Sequence, residues 1–253
     1  MRFINDSDDS LCMFKLHNNI DAIDIGIFVR PNTLIISDLH LGYEEMLAGK
    51  GTLVPRFQLT DIISRIDSML ENNPAVKRIV INGDLKHEFG SILRTEWRDI
   101  LKFVDYCSQH AKEVIIIKGN HDVALEPITK KRNIRIVRYL KIKDILIAHG
   151  DVINEEAITK SIKTIIIGHE HPAIGLKDKH RYEKYKCFLK GKWKNKVLIV
   201  QPSMNPLTEG TDILREPLLS PYLKNIGKFE VFAVAKTGIL QFGKVKDLSV
   251  RLF

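Results

Sequence analysis

Five apolar runs in this chain each end in a short cluster of Asp, His, Asn and Gly, and that repetition constrains the fold most tightly. Thr33-Leu34-Ile35-Ile36 leads into Ser37-Asp38-Leu39-His40, and Arg78-Ile79-Val80-Ile81 into Asn82-Gly83-Asp84. Residues 114–118 lead into Gly119-Asn120-His121-Asp122, residues 145–147 into Ala148-His149-Gly150-Asp151, and residues 164–167 into Gly168-His169-Glu170-His171. Short β-branched runs bounded by glycine read as buried strands. Between the early runs the period changes. Leu59, Ile62, Ile63, Ile66 and Leu70 recur at helical spacing, as do Leu93, Trp97, Ile100, Leu101, Val104 and Cys107. Residues 134–139 read as a further strand. Beyond residue 185 the helical periods vanish, and strands are predicted at 187–189, 197–200, 229–235 and 239–242. The order βαβαβ followed by mostly β predicts an α/β chain whose core sheet is covered by helices, with a second sheet from the later strands. The whole of 1–253 reads as a single domain.

Open α/β sheets bind ligands beyond the carboxyl ends of their strands, so these five motifs are expected to converge. A lone Asp-x-His means little; five such clusters, each after a predicted strand, mean a site. Their donors are carboxylate and amide oxygen with imidazole nitrogen, a mix suited to Mn²⁺, Fe²⁺, Zn²⁺ or Ni²⁺ rather than to an all-oxygen cage. Asp38, His40, Asp84, Asn120, His149, His169 and His171 are too many for one tetrahedral ion and suit two ions sharing a carboxylate. Two such ions roughly 3.5–4 Å apart would clamp a phosphate ester and activate a water for in-line attack.

Asp38-x-His40, Gly83-Asp84, Gly119-Asn120-His121-Asp122, His149-Gly150 and Gly168-His169-x-His171 resemble, in their order, the motif set of the calcineurin-like metallophosphoesterase superfamily. The resemblance implies two packed mixed β-sheets flanked by helices, a four-layer sandwich. It implies that Asp38, His40 and His171 hold one metal, that Asn120, His149 and His169 hold the other, and that Asp84 bridges both. His121 takes the place of the catalytic histidine, with Asp122 expected to orient it. Apart from the resemblance, Lys86 and His87 are candidates for substrate contact, with packing beside the metal loop the alternative for His87. The native ions are expected to be divalent transition metals, Mn²⁺ first, with Fe, Zn or Ni as alternatives. The segments Asp38-Leu39-His40-Leu41-Gly42, Gly51, Val54-Pro55, Gly168-His169-Glu170-His171-Pro172, Lys186-Cys187-Phe188, Pro202-Ser203 and Gly210-Thr211-Asp212 are similar to SbcD-related archaeal and DNA-ligase-associated phosphoesterases. Leu85-Lys86-His87 follows Gly83-Asp84 where many members carry an acidic residue, and the Asp-Arg-Gly triplet of Ser/Thr protein phosphatases is missing. The implied activity is metal-dependent hydrolysis of phosphodiesters, nucleotide or nucleic acid. The alternatives are a phosphomonoesterase and a non-catalytic scaffold for protein binding; the latter fits poorly with a complete ligand set.

Charge bears on the substrate. The chain carries 39 Lys and Arg against 31 Asp and Glu, a formal +8. Nearly all of that excess falls between Lys177 and Lys196, where Tyr182, Tyr185, Phe188 and Trp193 interleave with lysines. Cations and aromatics in alternation suit single-stranded nucleic acid. The competing reading is a β-hairpin with one face in the core and Lys190, Lys192, Lys194 and Lys196 solvated on the other. No apolar run approaches the roughly 18 residues that a membrane span needs. With Asn5-Asp6-Ser7-Asp8-Asp9 near its start, the chain is expected to be cytoplasmic. Three widely spaced cysteines fit no metal-finger pattern. No Gly-x-Ser-x-Gly elbow or P-loop is present. His17, His110 and His180 sit in no motif.

Overall fold

The computed structural model describes residues 13–52, 54–73, 75–88, 94–123, 125, 132, 134–178 and 181–249. Leu93, Lys179 and His180 lie outside these. The first sheet runs in chain order: β1 (Phe14–His17), β2 (Ile20–Ile23), β3 (Gly26–Val29), β4 (Thr33–Ile36), β5 (Arg78–Asn82), β6 (Glu113–Ile117) and β7 (Arg135–Val137). Strands β1 to β4 are antiparallel, and β4 to β7 are parallel. The second sheet holds β8 (Tyr139–Ile142), β9 (Ile145–Ala148), β10 (Thr164–Ile167), β11 (Pro172–Asp178), β12 (Arg181–Trp193), β13 (Lys196–Val200), β14 (Thr211–Asp212), β15 (Glu230–Ala235) and β16 (Gly238–Lys244). Its centre, β9-β10-β13, is parallel.

Side chains alternate across a strand, so one apolar run can feed two cores. Ile35 and Val80 of the first sheet meet Ile147, Ile166 and Ile199 of the second in the layer between the sheets. Leu34, Ile36, Ile79 and Ile81 point the other way. They pack on Ile62, Ile66 and Met69 of α1 (Gln58–Glu71) and on Ile100, Phe103 and Val104 of α2 (Arg94–His110). The outer face of the second sheet is covered mainly by irregular segments carrying Ala157, Ile162, Ile213, Tyr222 and Leu223. The expected two-sheet α/β sandwich is therefore present, with its long helices on one side only. No helix among the described residues is long and apolar enough to cross a membrane.

Two expectations change. The run 134–139 is not one strand: it breaks at Arg138, with β7 ending the first sheet and β8 beginning the second. The basic segment is not one hairpin with a solvated lysine row. Its long strand β12 pairs with β11 along its first half and with β13 and β15 along its second. Lys194 sits in the turn and Lys196 starts the next strand, where its buried ammonium donates to the carbonyls of Thr159 and Ile162. Lys186 likewise donates to the carbonyls of Ser203 and Asn205.

Candidate metal centre

Parallel strands in register end together, and here the ends of β4, β5 and β6 face those of β9 and β10 across the two sheets. The five polar motifs meet at that seam. Asp38, His40, Asp84, His169 and His171 all hold left-handed backbone conformations, with φ between 48° and 65°. Non-glycine residues rarely adopt that region, and such strain concentrates at functional sites. Glycine makes room where loops press together. A Cβ on Gly83 would stand 2.1 Å from Nδ1 of His149, and one on Gly119 would stand 2.2 Å from Oδ1 of Asp84.

The seven expected ligands fall into two groups of donors; His40, His87 and His121 form a third that overlaps the first. In the first, Nε2 of His171 lies 3.3 Å from Oδ1 of Asp38 and 3.3 Å from Nε2 of His40. In the second, Nε2 of His149 lies 3.3 Å from Oδ2 of Asp84, 3.1 Å from Oδ1 of Asn120 and 3.2 Å from Nδ1 of His169. Asp84 stands between them, with the same Oδ2 3.7 Å from Nε2 of His40. Asp38/His40/His171 and Asp84/His149/His169 each offer ligand atoms within 4.8 Å of one another. Imidazole lone pairs this close, beside buried carboxylates, fit divalent cations, and the nitrogen–oxygen donor set fits transition metals.

The surroundings aim these donors. Nδ1 of His149 lies 3.2 Å from the carbonyl of Asn82, to which it donates, leaving Nε2 for the cluster. Asp38 accepts from the Ser37 hydroxyl at 2.5 Å and from the N–H of His169. Burial alone would raise the Asp38 carboxyl, but His171, His149 and His40 outweigh it and hold it well below the usual range. Burial also opposes charge on His149, yet its hydrogen bond to Asp84 and the charges of Asp38 and Asp84 raise it to about 10. Burial and the neighbouring His171 press His40 down to about 3. Without metal, one imidazole of the cluster carries the proton that balances the carboxylates.

All seven expected ligands thus come together. The expected partner of His121 does not. The His121 N–H donates to Oδ1 of Asp84 at 2.9 Å, and its ring Nδ1 donates to the carbonyl of His87 at 2.5 Å. The buried carboxylate of Asp122 instead accepts main-chain N–H groups of Leu85, Lys86 and Gly119. It ties the loop after β5 to the loop after β6. Burial pushes it up to about 6, against the pull of those N–H groups. His87 does border the site, stacked on His121 with ring centres 5.6 Å apart and edge-on to Tyr43. Lys86 was expected at the substrate but is fully buried, so its ammonium is closed to solvent.

Several supporting residues had no signal in the sequence. Buried Gln58, the first residue of α1, donates through Nε2 to the carbonyls of Leu39 and His40 and to Asn205. The α1 N-terminus is capped from a distance by Glu44, which accepts the N–H groups of Phe57 and Gln58. Glu96 accepts the N–H groups of His87 and Glu88. Ser203, by contrast, belongs to a motif legible in the sequence, and its hydroxyl donates to the Asp38 carbonyl at 2.7 Å.

Beside His171 a cleft of about 610 Å³ opens between Tyr43 and the 207–211 loop, with Lys184 on its far wall. Lys184 is paired with Glu216 at 2.7 Å.

No curated protein matches the chain. Among solved structures, a protein of unknown function from Aquifex aeolicus, AQ665, is similar over 55% of this chain and 78% of its own, at 18% identity and a TM-score of 0.39. That likeness is too weak to bear on fold or function. The model of the calcineurin-like phosphoesterase family matches residues 31–192, the stretch that supplies every donor described above. Hydrolysis of phosphate esters with a pair of divalent ions is the chemistry these donor groups fit, and the chain belongs to the calcineurin-like phosphoesterase family.

Proposed function

We propose that the chain is a phosphodiesterase acting on nucleotide or nucleic-acid diesters, in the manner of the SbcD-related and ligase-associated enzymes its motifs resemble. The reading rests on two adjoining donor triads with the Asp84 carboxylate between them. Asp38, His40 and His171 would hold one ion; His149, His169 and Asn120 the other; Asp84 both. Mn²⁺ is the favoured metal. When bound, the pair supplies a positive clamp for the phosphate oxygens and lowers the pKa of a water at the site.

The chain's own groups do the rest. His121 is held by its Nδ1–H bond to the His87 carbonyl, so Nε2 is turned toward Asp84, 4.0 Å from its Oδ2. There it would donate a proton to the departing oxygen. His87, stacked on that ring, would line the leaving-group side with Tyr43. A diester is favoured over a monoester by charge. Lys184, the one Lys or Arg among the described residues of the cleft wall, is already neutralised by Glu216, which suits a singly charged phosphate better than a doubly charged one.

The test is steady-state hydrolysis with Mn²⁺, comparing bis-p-nitrophenyl phosphate with p-nitrophenyl phosphate. A higher kcat/KM for the diester supports the reading, and a higher value for the monoester refutes the diester preference.

A further inference from the structure

Among the described residues, a groove lined by lysines lies at the end of the second sheet away from the strand ends that carry the metal motifs. It lies against the last residues of β12 and the first of β13, in two adjoining hollows of about 700 and 360 Å³ that share Lys192 and Asn225. Val197, in its wall, pairs with Thr164 at the start of β10, whereas the metal-binding motif follows the end of that strand. That wall is therefore about 15–20 Å from His169, at roughly 3.3 Å per strand residue.

Among the described residues six lysines line it: Lys190, which is paired with Glu230, and Lys192, Lys194, Lys224, Lys228 and Lys244. The last five are exposed, and among the described residues none of them has an ion-pair partner. The single carboxylate in the lining, Glu230, is already engaged by Lys190 at 2.8 Å. The floor is aromatic. Gly191 leaves space that the Phe229 ring fills, since a Cβ there would stand 2.3 Å from it. Trp193 packs on Tyr222 with ring centres 5.0 Å apart, and Lys194 covers the indole at 4.4 Å. The structure thus replaces the lysine set suggested by the sequence. Lys190 is spent on Glu230 and Lys196 is buried in the fold, while Lys224, Lys228 and Lys244 arrive from distant segments.

We infer that this groove binds single-stranded nucleic acid, apart from the metal centre. Unpaired ammonium groups along a concave track favour a flexible polyanion over a flat bilayer. Lysines rather than arginines make point contacts with phosphates and lack the fork that reads bases, so binding would be insensitive to sequence. Half-buried Trp193 would offer a base a surface to stack on once Lys194 moves off the indole to a phosphate. The inference deepens the phosphodiester reading by making nucleic acid the substrate class, with the groove holding the polymer and the metal centre cutting it.

The experiment measures binding and hydrolysis separately on the Mn²⁺-loaded protein. The binding probe is a labelled phosphorothioate oligothymidylate of about 20 nucleotides, longer than the roughly 4–16 that one such site covers. In the variant Lys192→Glu/Lys194→Glu/Lys228→Glu, affinity should fall at least about tenfold. The slope of log affinity against log salt should shrink by about 0.7 per lost phosphate contact. The milder triple Gln variant should fall between, and neither should alter bis-p-nitrophenyl phosphate hydrolysis or the thermal midpoint. Unchanged affinity and slope in the Glu variant would overturn the inference. So would displacement of the oligonucleotide by polyglutamate of equal length at equal concentration, which would mark a site for acidic peptide. Failure of the wild type to hydrolyse the small diester would instead refute the phosphodiesterase reading and leave the binding result standing.

Discussion

The main-chain N–H of His121 donates to Oδ1 of Asp84 at 2.9 Å. That bond fixes the carboxylate so that its other oxygen, Oδ2, faces His149 at 3.3 Å and His40 at 3.7 Å, one from each donor group. The loop carrying the proposed acid thereby sets the orientation of the proposed bridge.

Asp84→Asn tests that arrangement. With its amide oxygen on the His121 N–H, the variant turns an NH₂ group toward both metal positions. Metal affinity should fall by more than the roughly 10–100-fold that loss of an outer hydrogen-bond partner costs. Turnover should fall with it. Metal analysis after Mn²⁺ reconstitution, alongside kcat, checks both, and full occupancy with normal turnover would remove Asp84 from the bridge.

His121→Ala should keep its metals and lose about 10²–10⁴ in kcat, the usual contribution of a positioned acid–base group. The loss should shrink for substrates with good leaving groups, which need less protonation. Loss of metal from this variant would instead make His121 a ligand.

Asp122→Asn should act on stability. Its carboxylate accepts three main-chain N–H groups in a buried loop, and an amide must turn a donor toward at least one of them. The expected cost is about 1–3 kcal/mol. For a chain this size that is a fall in Tm of roughly 2–4 °C per kcal/mol. A normal Tm with a large loss of kcat would restore the orienting role expected from the resemblance.

How much of this was legible follows from what each signal depends on. The five strand-end motifs were readable because ligands must be Asp, His or Asn and the strands behind them are buried on both faces. Asp122 was placed near His121 correctly, but its partner was not. Which carbonyl or carboxylate meets an imidazole is decided by the packing of two loops, and Asp122 meets residues 85 and 86 far from it in sequence. Strands β1 to β3 went unread because each has only four residues and their turns are short. Left-handed Asn19 and Asp24 at those turns were the available hints. Gln58 left no trace, since nothing local distinguishes a helix-start glutamine that reaches across to the His40 carbonyl.

The proton on His149 sets a pH dependence. Metal must displace it, so below about 10 the apparent affinity should rise with pH, by about tenfold per unit for one proton. In metal-free protein the sign is opposite. A histidine raised above its ordinary 6.5 gives stability that is fully present below 6.5 and is lost as pH rises through about 10. Thermal midpoints in EDTA across that window should therefore fall more steeply for the wild type than for His149→Gln. Parallel curves would show that His149 carries no such proton.

The most direct measurement is an anomalous difference map from crystals of the Mn²⁺-loaded protein. Two peaks about 3.5–4 Å apart are expected. One should lie among Asp38, His40 and His171 and the other among Asn120, His149 and His169, with Asp84 touching both. A single peak, or two that Asp84 does not join, would contradict the account.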